Sequence, residues 1–214
     1  YNWHFTIHQH NLPRILLALL CQQGYNTVDF LIKEQLMATG FSLSMYPYVH
    51  ISKYQDDGSW SEELQEKPHL TPAEEAALPA EELLSLQQKR NSFPELPLVN
   101  YTTQYGMGCF EGLKAFPQPD GSLKLFRPGR NAKRFAASMK GLMMPAFPED
   151  LFVKAVQQTV AANAAAGFAP EYQSKWEKNG FLDGHSVYIR PFTYSEPGIG
   201  LSLSLAPWVI TITT

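Results

Sequence analysis

Strand-forming runs closed by tight turns constrain this chain more than any other feature. From Tyr46 to Tyr54 the residues are alternating, β-branched and aromatic, and Asp56-Asp57-Gly58 supplies a turn before Trp60 begins the return. That combination predicts a β-hairpin. Pro119-Asp120-Gly121 predicts a second one, between strands Leu113–Phe116 and Leu123–Phe126. Val187 to Tyr194 and the β-rich run Trp208 to Thr213 supply two further strands, separated by the Gly/Ser/Pro loop Ser195 to Pro207.

Helix signals stand apart from these strands. Thr71-Pro72-Ala73-Glu74 is a capping box with Pro at the first helical position, and Glu81 to Arg90 continues as a helical stretch whose charges are read as solvating an exposed face. Asn91 to Pro97 breaks that helix. An amphipathic helix is predicted from Asn131 to Met144, closed by Pro145, and another from Asp150, its cap, to about Ala166. Strands with segregated helices predict an α+β fold, and no internal repeat is present.

A chain of 214 residues, 44% hydrophobic and 17% charged, suits a globular protein of one domain with appendages. Its net charge of -3 gives no electrostatic reason to expect nucleic acid, which needs clustered Lys and Arg. Cys21 and Cys109 lie far apart and in no ligand spacing, so neither a disulfide framework nor a zinc site is indicated and a reducing cytoplasm is expected. The longest apolar run, Ile15 to Cys21, is far below the roughly 20 residues of a membrane span, and it has no basic leader. His4, His8 and His10 admit a metal site, but no carboxylate cluster nearby offers a third ligand, and the reading adopted is no metal. Because Met37-Ala38-Thr39-Gly40 makes a natural start, residues 1–36 are expected to be an extension outside the fold. The chain opens at Tyr1 and ends within a β-rich run, so both ends are expected to be cuts in a longer protein.

Chemistry enters at Tyr105-Gly106-Met107-Gly108-Cys109-Phe110-Glu111-Gly112-Leu113-Lys114. A dinucleotide fingerprint needs its third Gly three residues after the second, where Glu111 stands, so that reading fails on spacing. The glycines suit a place where backbone approaches other backbone or a ligand closely, and packing and function are equally good reasons for them. Arg127, Arg130, Lys133 and Arg134 cluster around a helix start, which is competent to bind phosphate but also reads as a solvated basic face. Arg190 lies in a strand among apolar and aromatic residues, where an unpaired guanidinium is costly. It is expected to meet either an anionic ligand or a structural Asp or Glu.

Taken in order and spacing, Tyr105 through Phe116, Leu125-Phe126-Arg127-Pro128 through Arg134, Tyr188-Ile189-Arg190-Pro191 and Glu196-Pro197-Gly198-Ile199-Gly200-Leu201 resemble the branched-chain amino-acid aminotransferases, class-IV enzymes dependent on pyridoxal 5'-phosphate. The resemblance covers roughly residues 41–214. It implies the small N-terminal domain of the fold-type IV enzymes, an antiparallel sheet with flanking helices. On that reading residues 37–206 form the domain, 62–97 are a helical insertion in it, and 207–214 start the connection to a large cofactor-binding domain beyond the chain.

The resemblance also implies roles. Arg134 binds the cofactor phosphate. Tyr105, Phe110, Gly112, Lys114, Tyr188, Arg190, Ile199 and Leu201 bind substrate, with Phe110, Tyr105 and Tyr188 lining an apolar side-chain pocket. Arg190 and the Tyr105 hydroxyl meet the distal carboxylate of glutamate, and Arg134 and Arg190 face one shared cavity. Tyr105 and the 199–201 loop reach the neighbouring subunit of a homodimer. The catalytic lysine lies beyond Thr214, since none of Lys114, Lys124, Lys133 or Lys140 has its context, so the chain by itself is expected to be inactive. The activity implied is exchange of an amino group between leucine, isoleucine or valine and 2-oxoglutarate, in branched-chain amino-acid biosynthesis or degradation. Competing readings are a relative acting on D-amino acids or aminodeoxychorismate, and a noncatalytic dimerisation module.

Overall fold

The computed structural model describes residues 44–182 and 184–214, so the histidines at 4, 8 and 10 and the expected extension 1–36 lie outside the described residues. Strand β1, Tyr48–Lys53, turns at Gly58 with φ +84° and returns as β2, Glu63–Glu66. The predicted hairpin is therefore present, with Trp60 bridging back to Tyr54 before regular pairing begins. Strands β3, Leu113–Pro117, and β4, Leu123–Leu125, form the second hairpin around Gly121, where φ is +80°. Asp120 holds that turn by accepting from the Ser122 N–H (3.0 Å) and hydroxyl (2.6 Å). Strands β5, Val187–Tyr194, and β6, Trp208–Thr213, match their predicted limits.

The described strands make one antiparallel sheet in the order β2-β1-β6-β5-β3-β4. In this order β6 is central, paired with β1 through Ile51↔Ile210 and with β5 through Arg190↔Ile212. Residues 208–213, within the 207–214 expected to begin an interdomain connection, form this strand. A β-branched run bonded on both edges, with Val209 and Ile210 fully enclosed, is part of this domain's core. Residues 44–214 form one compact unit.

Helix α1 is Pro72–Ala77 and α2 is Ala80–Arg90, and the capping box at Thr71 and Glu74 is formed. The stretch 62–97 is not helical throughout, because Glu63–Glu66 is the edge strand β2. Nor do all its charges face water. Arg90 is 1% exposed, pairs with the Glu75 carboxylate and donates to the carbonyls of Pro68 (3.1 Å) and Met45 (3.3 Å). A guanidinium with that many acceptors tolerates burial and ties the helices to the strand that follows Met45.

After the short helix α3, Tyr101–Tyr105, two longer helices follow. Helix α4 is Pro128–Gly141, starting three residues before the predicted Asn131 because Pro128 takes the first helical position. Helix α5 is Glu149–Ala165, and its N-cap is Pro148 rather than the expected Asp150. A 3-10 turn follows at Ser174–Asn179. Helices α4 and α5 cover one sheet face: Phe135, Met139, Phe152 and Val156 pack on Leu113, Ala115, Ile189 and Val209. Each of these side chains other than Ala115 contributes about 1.5–3 kcal/mol by leaving water. On the other face Val49, Ile51 and Ile210 pack with Phe93, Leu96 and Phe192. Farther along that face, at the β3 and β5 end, stand Lys114, Tyr188 and Arg190, the residues that position the site.

Candidate active site

Period-two side-chain alternation decides which residues face this site. In β5 Val187, Ile189 and Pro191 are buried, which turns Tyr188 and Arg190 to the opposite face, and the register Lys114↔Tyr188 adds Lys114 beside them. The Arg190 guanidinium donates through Nε to the Tyr188 hydroxyl (2.9 Å) and through Nη2 to the same oxygen. Its carbon lies 4.3 Å from the Phe110 ring centroid. Among the described residues no carboxylate pairs with it, so of the two partners expected from sequence, the structural Asp or Glu is not found there.

Phe110 bridges to Phe192 and presents 63% of its surface, because the segment before β3 joins β5 by backbone bonds at Glu111 N–H to the Pro191 carbonyl (2.9 Å) and Thr193 N–H to the Cys109 carbonyl (2.9 Å). Arg190, Phe110, Cys109, Phe192 and Thr193 line a cleft of about 380 Å³. Burial pushes the Cys109 thiol above its ordinary value, so it sits there as a neutral wall.

Arg134 lines a different, larger cleft of about 850 Å³ with Gly112, Lys114, Arg127, Arg130 and Lys133. Among the described residues Arg134 and Arg190, expected to face one shared cavity, line two clefts. Arg134 is drawn to Glu111, whereas Arg190 is held on the sheet face by Phe110 and Tyr188. Gly112 links them. It lines the Arg134 cleft, and a Cβ there would fall 2.9 Å from the Tyr188 hydroxyl that holds Arg190.

The larger cleft suits a phosphate dianion. Its lining carries five cationic side chains and no Asp or Glu, and it opens at the first turn of α4, where backbone dipoles favour negative charge. Arg127 caps that helix in the left-handed conformation, φ 52°, which is uncommon for a residue with a side chain and re-aims the chain so that Phe126 and Arg127 both line the cleft.

Glu111 is the residue that sequence reasoning passed over. It is 6% exposed, and its carboxylate takes Arg134 Nε at 2.6 Å, Arg134 Nη2 at 2.6 Å and Asn131 Nδ2 at 2.9 Å. Burial pushes its carboxyl up, but the hydrogen bonds from Arg134 and Asn131 and the charge of Arg134 together hold it below the usual value. The signal available in sequence was an acid between Phe110 and Gly112, in a strand entry facing a basic helix.

Tyr105 stands elsewhere. It ends α3, is 45% exposed, and its hydroxyl accepts from the Gly200 N–H (3.0 Å). It therefore joins Ile199 and Leu201, 76% and 98% exposed, rather than the cleft of Arg190. Glu196 closes that loop by accepting from the Ser204 hydroxyl (2.5 Å) and the Leu205 N–H (2.7 Å).

Comparison with known proteins adds a lineage to this geometry. The chain is 33% identical over 168 residues to the branched-chain-amino-acid aminotransferase of Helicobacter pylori, a match covering 78% of this chain and 38% of that protein. The chain is homologous to part of the branched-chain-amino-acid aminotransferases. The enzyme of that name from Haemophilus influenzae is 41% identical over 103 residues, 48% of this chain and 26% of that protein. Transaminase AMT5 of Alternaria alternata is 41% identical over 103 residues, 48% of this chain and 24% of that protein. The chain thus spans well under half the length of these curated relatives. No family model matches it. Among solved structures, the branched-chain aminotransferase of Thermoproteus uzoniensis with norvaline aligns at a TM-score of 0.46 and 21% identity, over 79% of this chain and 40% of that one. Among the described residues no helix is long and apolar enough to cross a membrane, and no cluster of His, Cys, Asp and Glu has the makings of a metal site.

Proposed function

We propose that this chain belongs to a pyridoxal-phosphate-dependent branched-chain-amino-acid transaminase, which exchanges the amino group between leucine, isoleucine or valine and 2-oxoglutarate. The observation that carries the reading is Arg190, a guanidinium set between Phe110 and Tyr188 with no carboxylate partner among the described residues. Such a group suits one pocket that takes two unlike substrates. Aromatic walls accept a branched apolar side chain, at about 0.8 kcal/mol per buried methylene. The guanidinium accepts the distal carboxylate of glutamate or 2-oxoglutarate.

Arg134 would hold the cofactor phosphate, supported by the five cationic side chains that line its cleft. The bound cofactor supplies the electron sink for chemistry at the substrate α-carbon. Lys114, on the same cleft, adds positive charge near the phosphate, and Gly112 leaves room between that cleft and Tyr188. The exposed Tyr105, Ile199 and Leu201 support contact with the neighbouring subunit of a homodimer, where they would close the partner's substrate pocket.

The test uses the full-length protein. Leucine with 2-oxoglutarate is expected to turn over faster than D-alanine with 2-oxoglutarate, and a D-alanine preference would overturn the assignment. Arg190→Leu is expected to raise KM for 2-oxoglutarate by about 100-fold, because a charge-assisted contact is lost, while KM for leucine changes little. Equal loss for both substrates would show that Arg190 does not recognise the distal carboxylate.

A further inference from the structure

Glu111 is not among the residues proposed to bind substrate, yet its carboxylate is anchored beside the proposed phosphate site. Its backbone N–H is bonded to the Pro191 carbonyl of β5 (2.9 Å), and its side chain is almost fully enclosed. From that fixed point the carboxylate grips one edge of the Arg134 guanidinium, Nε and Nη2, each at 2.6 Å. The Arg134 side chain is 66% exposed, and its Nη1 has no hydrogen-bond partner among the described residues. An arginine so exposed, without this grip, would sample many rotamers, and its planar fork makes orientation matter as much as charge.

We propose that Glu111 is a positioning residue that locks Arg134 by one edge, so that the remaining edge is presented to the phosphate of the cofactor. This rests on the reading of Arg134 as the phosphate-binding residue. The dipeptide Glu111-Gly112 then sets both guanidiniums. Its first residue fixes Arg134 through a side chain, and its second spares the Tyr188 hydroxyl, and hence Arg190, through the lack of one. Because the two residues are adjacent in the chain, the spacing between the phosphate site and the distal-carboxylate site is fixed at one point of the sheet.

Charge alone would argue for the opposite role. A carboxylate beside Arg134 neutralises it and weakens its attraction for an anion, so removing Glu111 would tighten phosphate binding. Positioning predicts the reverse sign, and the sign decides between them.

The experiment titrates the full-length protein, freed of cofactor, with pyridoxal phosphate and with pyridoxal, which differ only in the phosphate. The readout is the ratio of the two dissociation constants, followed by absorbance or protein fluorescence. Arg134→Ala is expected to lower the phosphate preference by about 100-fold, the scale of a lost charge-assisted fork. Glu111→Gln is expected to lower it by about tenfold, and to have no further effect in the Arg134→Ala background. Retained preference in Arg134→Ala sinks the phosphate reading itself. A lost preference there, together with an unchanged or stronger one in Glu111→Gln, overturns the positioning role alone, as does equal weakening of both ligands. Should Glu111→Gln not fold, Glu111→Asp keeps the charge and withdraws the grip by one methylene; the same loss of preference is expected from it, and full retention refutes the proposal.

Discussion

At the scale of the residue, the site is governed by what is absent at 112. A Cβ on Gly112 would fall 2.9 Å from the Tyr188 hydroxyl, the oxygen that accepts both donors of Arg190. Gly112→Ala is therefore expected to displace that hydroxyl and loosen Arg190, raising KM for 2-oxoglutarate by about tenfold with a smaller effect on leucine. Steady-state kinetics on both substrates checks this, and an unchanged ratio of the two KM values would contradict it. The sequence already marked Gly112 as a point of close approach, with packing and function balanced. Which neighbour approaches depends on the pairing of β3 with β5, through partners such as Lys114 and Tyr188 that lie far apart in the chain, and no local pattern encodes it.

At the scale of the element, the pair α1 and α2 shows how a charged surface reading fails. The periodicity and the capping box located the helices, but Arg90 and Glu75 are buried against each other, 1% and 8% exposed. Arg90→Ala leaves a largely enclosed carboxylate without its cation, and it is expected to destabilise the domain by about 3–5 kcal/mol. Urea unfolding measures this, and a loss below about 1 kcal/mol, the scale of an exposed pair, would argue that the contact is immaterial. By contrast, Thr71→Ala removes an exposed cap, in which Thr71 Oγ1 accepts from the Glu74 N–H (3.4 Å), and should cost about 1 kcal/mol or less. Sequence composition treats Glu74 of the cap and Glu75 of the ion pair alike. Only packing against Met45 and Pro68 separates them.

At the scale of the whole molecule, the sheet carries α4 and α5 on one face and Tyr188 with Arg190 on the other, and His50 lies on the helix-covered face of β1, 2% exposed. Burial lowers its pKa from the ordinary 6.5, as does Lys154 of α5, while Glu62 and Gln158 act the other way. The folded state therefore resists the proton that the unfolded chain accepts. Stability from this group is complete above pH 6.5 and declines as pH falls below it, by at most about 1.4 kcal/mol per pH unit, until the folded form also titrates. Thermal unfolding between about pH 7.5 and 5 should show a drop that His50→Gln diminishes, and an equal drop in both proteins would exclude His50 as its source. By itself the sequence determined the strands, turns and helices, because these rest on period, capping and turn chemistry within a few residues of one another. It also determined the order of the motifs that tie the chain to the branched-chain-amino-acid aminotransferases. Tertiary structure alone decided that β6 is central, that Arg134 and Arg190 line separate clefts, and that Glu111 joins α4 to the sheet. Those facts depend on strand order, register and burial, which are set by contacts between residues far apart in the chain.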